Sequence, residues 1–324
     1  MPERASIFEV VQFGVETTPG TSVSANKRLQ ALTVQPRIQA DTANVRPTGS
    51  KFPTSVVLGK EWVEARLGGQ PAFNDMTYIL ASCISYAAPT GSGSAKTWTF
   101  TPSNTGFDTV KTYTVEMGSS VRAGKFTYGL VTGFGLSYTR DRLELSGTML
   151  GRAYQDGITM TSNPTYVTLV PMLPTNVSVY MDDTSAGIGT TKLTRCFEAN
   201  FEISDRFGPL WVLDAAQPSF VAHVEKEPNA RMRLKLEADA DGMSLLSTLR
   251  NNSRKFLRIE VTGPEIETGA SYRMRLDMCG MVRTVNEWSD EDGVYAIEFE
   301  LASVYDSTWG KALTVELVNT VSAL

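Results

Sequence analysis

Histidine and cysteine are scarce in this chain: one histidine, His223, and three cysteines, Cys83, Cys196 and Cys279, among 324 residues. A single histidine, set in Phe220-Val221-Ala222-His223-Val224, leaves a serine or cysteine triad one candidate base and excludes metal sites built from several imidazoles. Three thiols are an odd number at no metal-ligand spacing. Each lies in an apolar run where sulfur packs as a small hydrophobe, so reduced thiols and intracellular synthesis are expected. No segment offers the roughly 18 uncharged apolar residues of a membrane helix. Residues 1–14 lack the basic start and apolar run of a secretory leader, so neither membrane insertion nor export by that route is expected. Clustered basic residues are missing too: 30 Lys and Arg against 35 Asp and Glu give a net charge of −5. Tight binding to a phosphate backbone is therefore not expected, and a mildly acidic surface lets DNA pass without sticking.

The remaining polar motifs have ordinary readings. Asp182-Asp183 is followed by no calcium-type loop and falls where a turn needs polar residues. Gly187-Ile188-Gly189 lacks the strand-to-helix setting that cradles a phosphate and reads as a hinge. Asn176-Val177-Ser178 and Asn251-Asn252-Ser253 match the glycosylation triplet, which without a leader is read as chance. No catalytic residue, metal or cofactor is expected, and the chain is not read as an enzyme.

What the sequence does have is one pattern repeated, before and after residues 184–190. Leu32, Val34 and Ile38 alternate with Thr33, Gln35 and Arg37; Phe197, Ala199, Phe201 and Ile203 alternate with Glu198, Asn200 and Glu202. That is the period-two signature of a half-buried strand. Each pass runs on through an irregular stretch, with Pro53 and Pro218 the same distance downstream, to an extended segment at 62–67 or 232–238. One short helix follows in each, marked by Met76, Ile79, Leu80 and Cys83, then by Met243, Leu246 and Leu249. Asn74 or Asp75 is placed to cap the first and Asp241 the second. Strands at 113–117, 127–139 and 143–150 close the first pass, and strands at 272–278, 281–285 and 294–301 the second. A mainly β fold with minor helix content is expected: two tandem β-sandwich or barrel units, each flanked by one short α-helix, from an internal duplication. The length suits two medium domains.

Residues 1–26 read as an N-terminal arm, 27–180 as the first unit, 181–191 as a linker, 192–310 as the second unit and 311–324 as a C-terminal strand or arm. The arm is small, polar and turn-forming around Pro19-Gly20. Segments 39–59 and 205–228 exceed ordinary connections, and long loops at matching places point to a shared use. The tail alternates from Leu313 to Leu317, so its apolar face needs a partner.

Glu198, Asn200 and Glu202 share one strand face, and Glu298 and Glu300 share another; Phe201, Ile203, Phe299 and Leu301 occupy the opposite faces. Two readings of these acidic faces stand, a solvated sheet surface and a wall along which a polyanion slides. Arg231, Arg233 and Lys235 on one strand, and Arg273 and Arg275 on another, are suited to pair with them across neighbouring strands or subunits. The five tryptophans are scattered, mostly in strand-like segments where burial is the usual role.

Phe13-Gly14-Val15-Glu16-Thr17-Thr18-Pro19-Gly20-Thr21 with Lys27-Arg28-Leu29 is followed by Val179-Tyr180-Met181-Asp182-Asp183 with Gly189-Thr190-Thr191-Lys192-Leu193. Next comes Ser204-Asp205-Arg206-Phe207-Gly208-Pro209-Leu210-Trp211-Val212-Leu213-Asp214. In that order, and over nearly the whole chain, these strings resemble the tail tube (major tail) proteins of bacteriophages with long, non-contractile tails. The resemblance implies a structural virion protein in which six β units, each with one helix, close a ring. Rings stack into a hollow tube around a tape-measure protein, between tail-end proteins, and the lumen carries genome DNA into the host without binding it specifically. The location implied is the virion tail, assembled in the host cytoplasm.

With two units per chain, three chains would make a ring of approximate sixfold symmetry. The rival is six chains per ring with the second half as outward decoration; the matched order of elements favours three. Candidate lumen-facing residues are then Glu198, Asn200, Glu202, Glu298, Glu300, Thr33 and Gln35. Candidate ring-to-ring contacts are Phe13, Glu16 and Pro19 in the arm, Arg46 and Phe52 in the first long loop, Arg206, Phe207 and Trp211 in the second, and Trp309 and Leu317 around the tail. A virion decoration or receptor-adhesion β module is the alternative function.

Overall fold

Alternation dominates the sequence, and the computed structural model, which describes residues 6–214 and 216–324, is accordingly mainly β with two α-helices. The first five residues of the expected arm fall outside the described residues. The first half runs β1 (Val10–Val15), β2 (Lys27–Leu29), β3 (Leu32–Val45), β4 (Ser55–Gly69), α1 (Met76–Cys83), β5 (Lys96–Phe100), β6 (Tyr113–Gly118), β7 (Ala123–Thr139), β8 (Leu143–Gly151), β9 (Gln155–Ile158) and β10 (Thr165–Tyr166). The second runs β11 (Val177–Asp182), β12 (Cys196–Ser204), β13 (Phe207–Leu210), β14 (Ala222–Glu225), β15 (Asn229–Glu237), α2 (Ala240–Arg250), β16 (Arg254–Glu267), β17 (Ala270–Val285), β18 (Ser289–Glu291), β19 (Val294–Ser303) and β20 (Leu313–Asn319).

Eight strands make one continuous antiparallel sheet in the order β3-β4-β8-β7-β12-β15-β19-β17. By register this is one four-strand arrangement repeated. β7 and β8 pair as far as Val131↔Met149, slip by one residue and resume at Gly133↔Thr148. β17 and β19 pair as far as Val282↔Leu301, slip by one and resume at Thr284↔Glu300. Thr148 lies beside Arg66, and Arg66 beside Gln35; Glu300 lies beside Arg233, and Arg233 beside Asn200. Gln35 therefore corresponds to Asn200, Ile38 to Ile203, and Phe134 to Val285. A bulge that re-aims a strand, at one place in both halves, is a fold-level match beyond mere alternation.

Residues 272–278 and 281–285, expected as two strands, are one. β17 changes neighbour from β20 to β19 near Gly280, as β7 changes from β6 to β8 near Gly129. At Gly129 a Cβ would meet Tyr113 O and Val115 Cγ2 at 2.9 Å, so β7 lies this close to its neighbour β6 only because that side chain is missing.

The leading portions of β7 and β17 belong to a second layer. There β7 joins β9 on one side and the run β6-β1-β2-β10 on the other. β17 joins β16-β11 on one side and β20-β5 on the other. One core links Val34 and Leu67 of the eight-stranded sheet to Phe13, Tyr78, Trp98 and Leu317, and α1 is buried within it along its whole length.

Several expected boundaries dissolve in this layer. Within the arm, β1 lies between β2 and β6 with Val11 and Phe13 in the core; its backbone groups are paired on both sides, which a free arm could not arrange. β11 straddles the end of the first unit and the start of the linker, and pairs with β16 of the second unit. The tail is β20, laid between β17 and β5, so its apolar face is covered by its own chain. Segment 39–59 is largely not a loop: β3 and β4 continue through it as a two-stranded ribbon as far as Val45↔Ser55.

The helix caps also differ from expectation. Asp75 makes no cap bond at α1; its carboxylate accepts the N–H groups of Ala31 and Gln30 at 2.8 and 3.3 Å, and burial raises its pKa to about 6. Asn74 donates to Thr168 O and accepts from Thr320 N. α2 is capped by Asp239, which accepts from Gly242 N at 2.9 Å, while the side chain of Asp241 lies outside the described residues.

Candidate assembly interface

The two halves join at a seam, β7 against β12, six residue pairs running from Glu198↔Thr139 to Ile203↔Phe134. It buries Ile203 to 1% exposure and sets Phe134 against Phe201, ring centroids 5.7 Å apart. At the ends of the eight-stranded sheet two edges have no partner among the described residues: the outer side of β3, and the side of β17 beyond Met281, where pairing with β16 stops. These edges are the repeat counterparts of the seam's own strands. Ile38, in the place of Ile203, is 55% exposed, and Val285, in the place of Phe134, is half-buried. Positions that are fully core at the seam are thus exposed at Ile38 and only partly covered at Val285, and an unpaired edge is a template for pairing. Pro36 stands where the seam has Phe201; lacking an N–H, it fits only an edge and blunts indiscriminate pairing there.

The expected lumen-facing residues lie on one face. Directly paired residues run Thr33↔Gly68↔Ser146↔Gly135↔Glu202 across the seam, with Gln35, Asn200, Glu198, Glu298 and Glu300 in neighbouring rows on the same side. A trough of about 1010 Å³ hollows this face, its floor kept low by Gly133 and Gly135 and its sides formed by residues such as Arg66, Glu144 and Glu202.

The acids do not stand alone, because β15 places Arg231, Arg233 and Lys235 between β12 and β19. Arg233 donates to Glu300 at 2.8 Å, a bond that raises the arginine's pKa further. Arg231 lies 3.5 Å from Glu202 and 3.8 Å from Glu300, and Lys235 pairs with Glu291. Asn200 donates to Glu198 at 2.7 Å. Arg273 pairs with Glu316, and Arg275 with Glu260, across strands in the same way. Each such cross-strand pair contributes about 0.2–1 kcal/mol and favours one register.

Of the expected ring-to-ring residues, five are interior. Phe13 and Leu317 are core residues of β1 and β20. Glu16 is buried because four donors satisfy it: Gly20 N at 2.6 Å, Thr112 Oγ1 at 2.8 Å, Tyr128 N at 2.9 Å and Thr114 Oγ1 at 3.1 Å. Arg206 donates to the carbonyls of Cys83 and Ile84 at the end of α1, at 3.3 and 3.1 Å, and pairs with Asp108. Phe207 packs with Phe220 against Tyr128, Leu130 and Leu150. Connection 205–228 thus folds down on the first half of its own chain. Arg152 ties it there by donating to Phe220 O and Val221 O. Trp211 meets Trp62 edge-on at 5.6 Å and Trp309 meets Phe256 at 5.9 Å, both half-buried. Pro19, Arg46 and Phe52 are exposed.

His223 sits on β14 with Nδ1 3.0 Å from the Tyr128 hydroxyl and its ring edge-on to Phe207; burial lowers its pKa. Burial pushes the thiols of Cys83 and Cys196 up to about 12 and that of Cys279 to about 11, which disfavours a thiolate at neutral pH. Among the described residues, no group of three or more His, Cys, Asp or Glu is placed to hold a metal ion, and no helix is long and apolar enough to cross a membrane. Comparison with protein-family models and with curated proteins finds no match to this chain.

Proposed function

We propose that this protein is the structural subunit of the tail tube of a long, non-contractile phage tail, in which three chains close a ring of approximate sixfold symmetry and rings stack into a conduit for genome DNA. The observation that carries this reading is the seam: it exists once within the chain as β7–β12, and its two strands recur as free edges, that of β12 on β3 and that of β7 from the end of β17 at Val285 on to β18. Pairing the end of β17 with β3 of the next copy sets Val285 opposite Ile38, as Phe134 lies opposite Ile203, and covers both. Such a contact uses a different surface on each copy, so it repeats until rotation closes a ring.

The trough-bearing polar face lines the lumen. Glu202 and Glu300 are paired with Arg231 and Arg233 of β15, and Lys235 with Glu291, so passing DNA meets a face on which charges of both signs largely offset one another. The tape-measure protein occupies the lumen during assembly, and tail-end proteins meet the terminal rings; the site of assembly is the host cytoplasm and the final location the virion. No chemical step is required of any side chain.

Electron microscopy of the purified protein at rising concentration, with averaged end views, tests this. Hollow rings or tubes whose sixfold density carries a threefold modulation are expected. Plain sixfold rings with outer knobs would replace three chains by six, and monomers at every concentration would sink the proposal.

A further inference from the structure

Ring closure through the edges leaves a large apolar surface uncovered on the ribbon of β3 and β4. Phe52, Val56, Val57 and Leu58 are each more than half exposed there, an apolar patch of the kind that marks an interaction site. In the second half, 205–228 occupies the same place in the repeat, since it too links the first and second strands, and it is docked. Its Phe207 and Phe220 lie over Leu130 and Leu150, and Arg206 holds the carbonyl end of α1.

Among the described residues, the matching surface on the second half has no counterpart of 205–228 laid over Met281 and Ala302; Trp309 of the following segment packs on Phe256 nearby. Met281 and Ala302 are register partners as Leu130 and Leu150 are, and fall in the same places relative to the bulge. Both are half-buried, while Leu249 in the last turn of α2 is 38% exposed and Tyr305, three residues after Ala302, is 40% exposed. Charge is exchanged as well. By the same correspondence the ribbon has Asp41 where 205–228 has Arg206, and α2 ends in Arg250 where α1 has no basic residue in its last turn.

We propose that the β3–β4 ribbon of one copy docks on the second half of the adjacent copy in the same ring, over Met281, Ala302 and the end of α2, with Asp41 beside Arg250. It is the intermolecular counterpart of 205–228 on the first half, and it makes the ribbon a clasp within a ring instead of the ring-to-ring contact expected from sequence. The inference rests on the ring reading and names the surface that completes it.

The test places the photo-cross-linker benzoylphenylalanine at position 58 of the full chain and irradiates assembled particles. The expected result is a shift to covalent dimer and trimer bands, with the attached peptide from 249–254, 281–283 or 302–305 of another copy. Rings in micrographs whose cross-links fall elsewhere, or that stay monomeric on the gel, would overturn the clasp and leave the ring standing. A wild-type chain that forms no rings would overturn both. As an independent check, Asp41→Arg and Arg250→Asp, both at exposed positions, should each reduce the yield of rings and together restore it; no restoration in the double variant contradicts the pairing.

Discussion

The two long connections of the repeat leave corresponding strands and end in opposite states. Connection 205–228 gives up the β12–β15 ladder, makes its own hairpin of β13 and β14, and sinks Phe207 and Phe220 into the first half. Segment 39–58 keeps pairing as a ribbon and holds Phe52 and Leu58 in the open. A connection's conformation here follows from what lies across the seam: the second half has the first beside it, and the first has only a free edge. Surface that looks gratuitous on one half is explained by the covered surface on the other.

The largest expected effect is Phe220→Ala. A fully buried ring leaves the cluster of Tyr128, Leu130, Leu150 and Trp211, at about 3–5 kcal/mol in chemical denaturation. Phe52→Ala should cost the isolated chain far less, and an equal loss would contradict the exposure of Phe52 on the ribbon. Arg206→Met should cost about 3 kcal/mol or more, because the buried Asp108 carboxylate and two carbonyls at the end of α1 lose their partner. The same change at Arg46 on the ribbon should be nearly silent.

Asp75 sharpens the contrast from the side of α1, the helix on which 205–228 is docked. Its pKa is raised from 3.8 to about 6, first by desolvation, and Oδ1 has no hydrogen-bond partner. The folded chain therefore holds this proton more tightly than the unfolded one, and the group's contribution to stability falls as pH rises from about 4 to about 6, by at most about 3 kcal/mol. Asp75→Asn keeps an oxygen for the N–H groups of Gln30 and Ala31; it should raise the melting temperature at pH 7.5, with the gain vanishing towards pH 4. A gain independent of pH would remove the titration from the explanation. Smallest in stability is Phe52→Ser with Val57→Ser, within about 0.5 kcal/mol for the isolated chain, but ring formation should be lost.

Much of this was legible in the alternation. Leu32 to Ile38 and Phe197 to Ile203 are corresponding strands, one helix follows in each half, and the polar residues of β3, β12 and β19 share a face. What was hidden depends on distant partners. Glu16 looks like an arm residue until Thr112, Thr114 and Tyr128 surround it, and Leu317 is core only because Trp98, far earlier in the chain, lies beside it. Asp75 has a capping sequence, but the N–H groups of Gln30 and Ala31 claim its carboxylate. The ribbon's polar stretch through Asp41 to Asn44 has loop composition and strand pairing, which composition alone does not separate. The free edges needed the register, since only the matched bulges show that Ile38 and Val285 stand where the seam buries Ile203 and Phe134.

That correspondence is most directly tested by Ile38→Cys with Val285→Cys. Directly opposed residues of antiparallel strands lie about 4.5–5.5 Å apart at Cα, within reach of a disulfide. Oxidation of the assembled double variant should yield covalent chains ending at the closed trimer, with neither single variant cross-linking. Rings that give no cross-link, or that close only as covalent hexamers, would contradict three chains joined through the repeated seam.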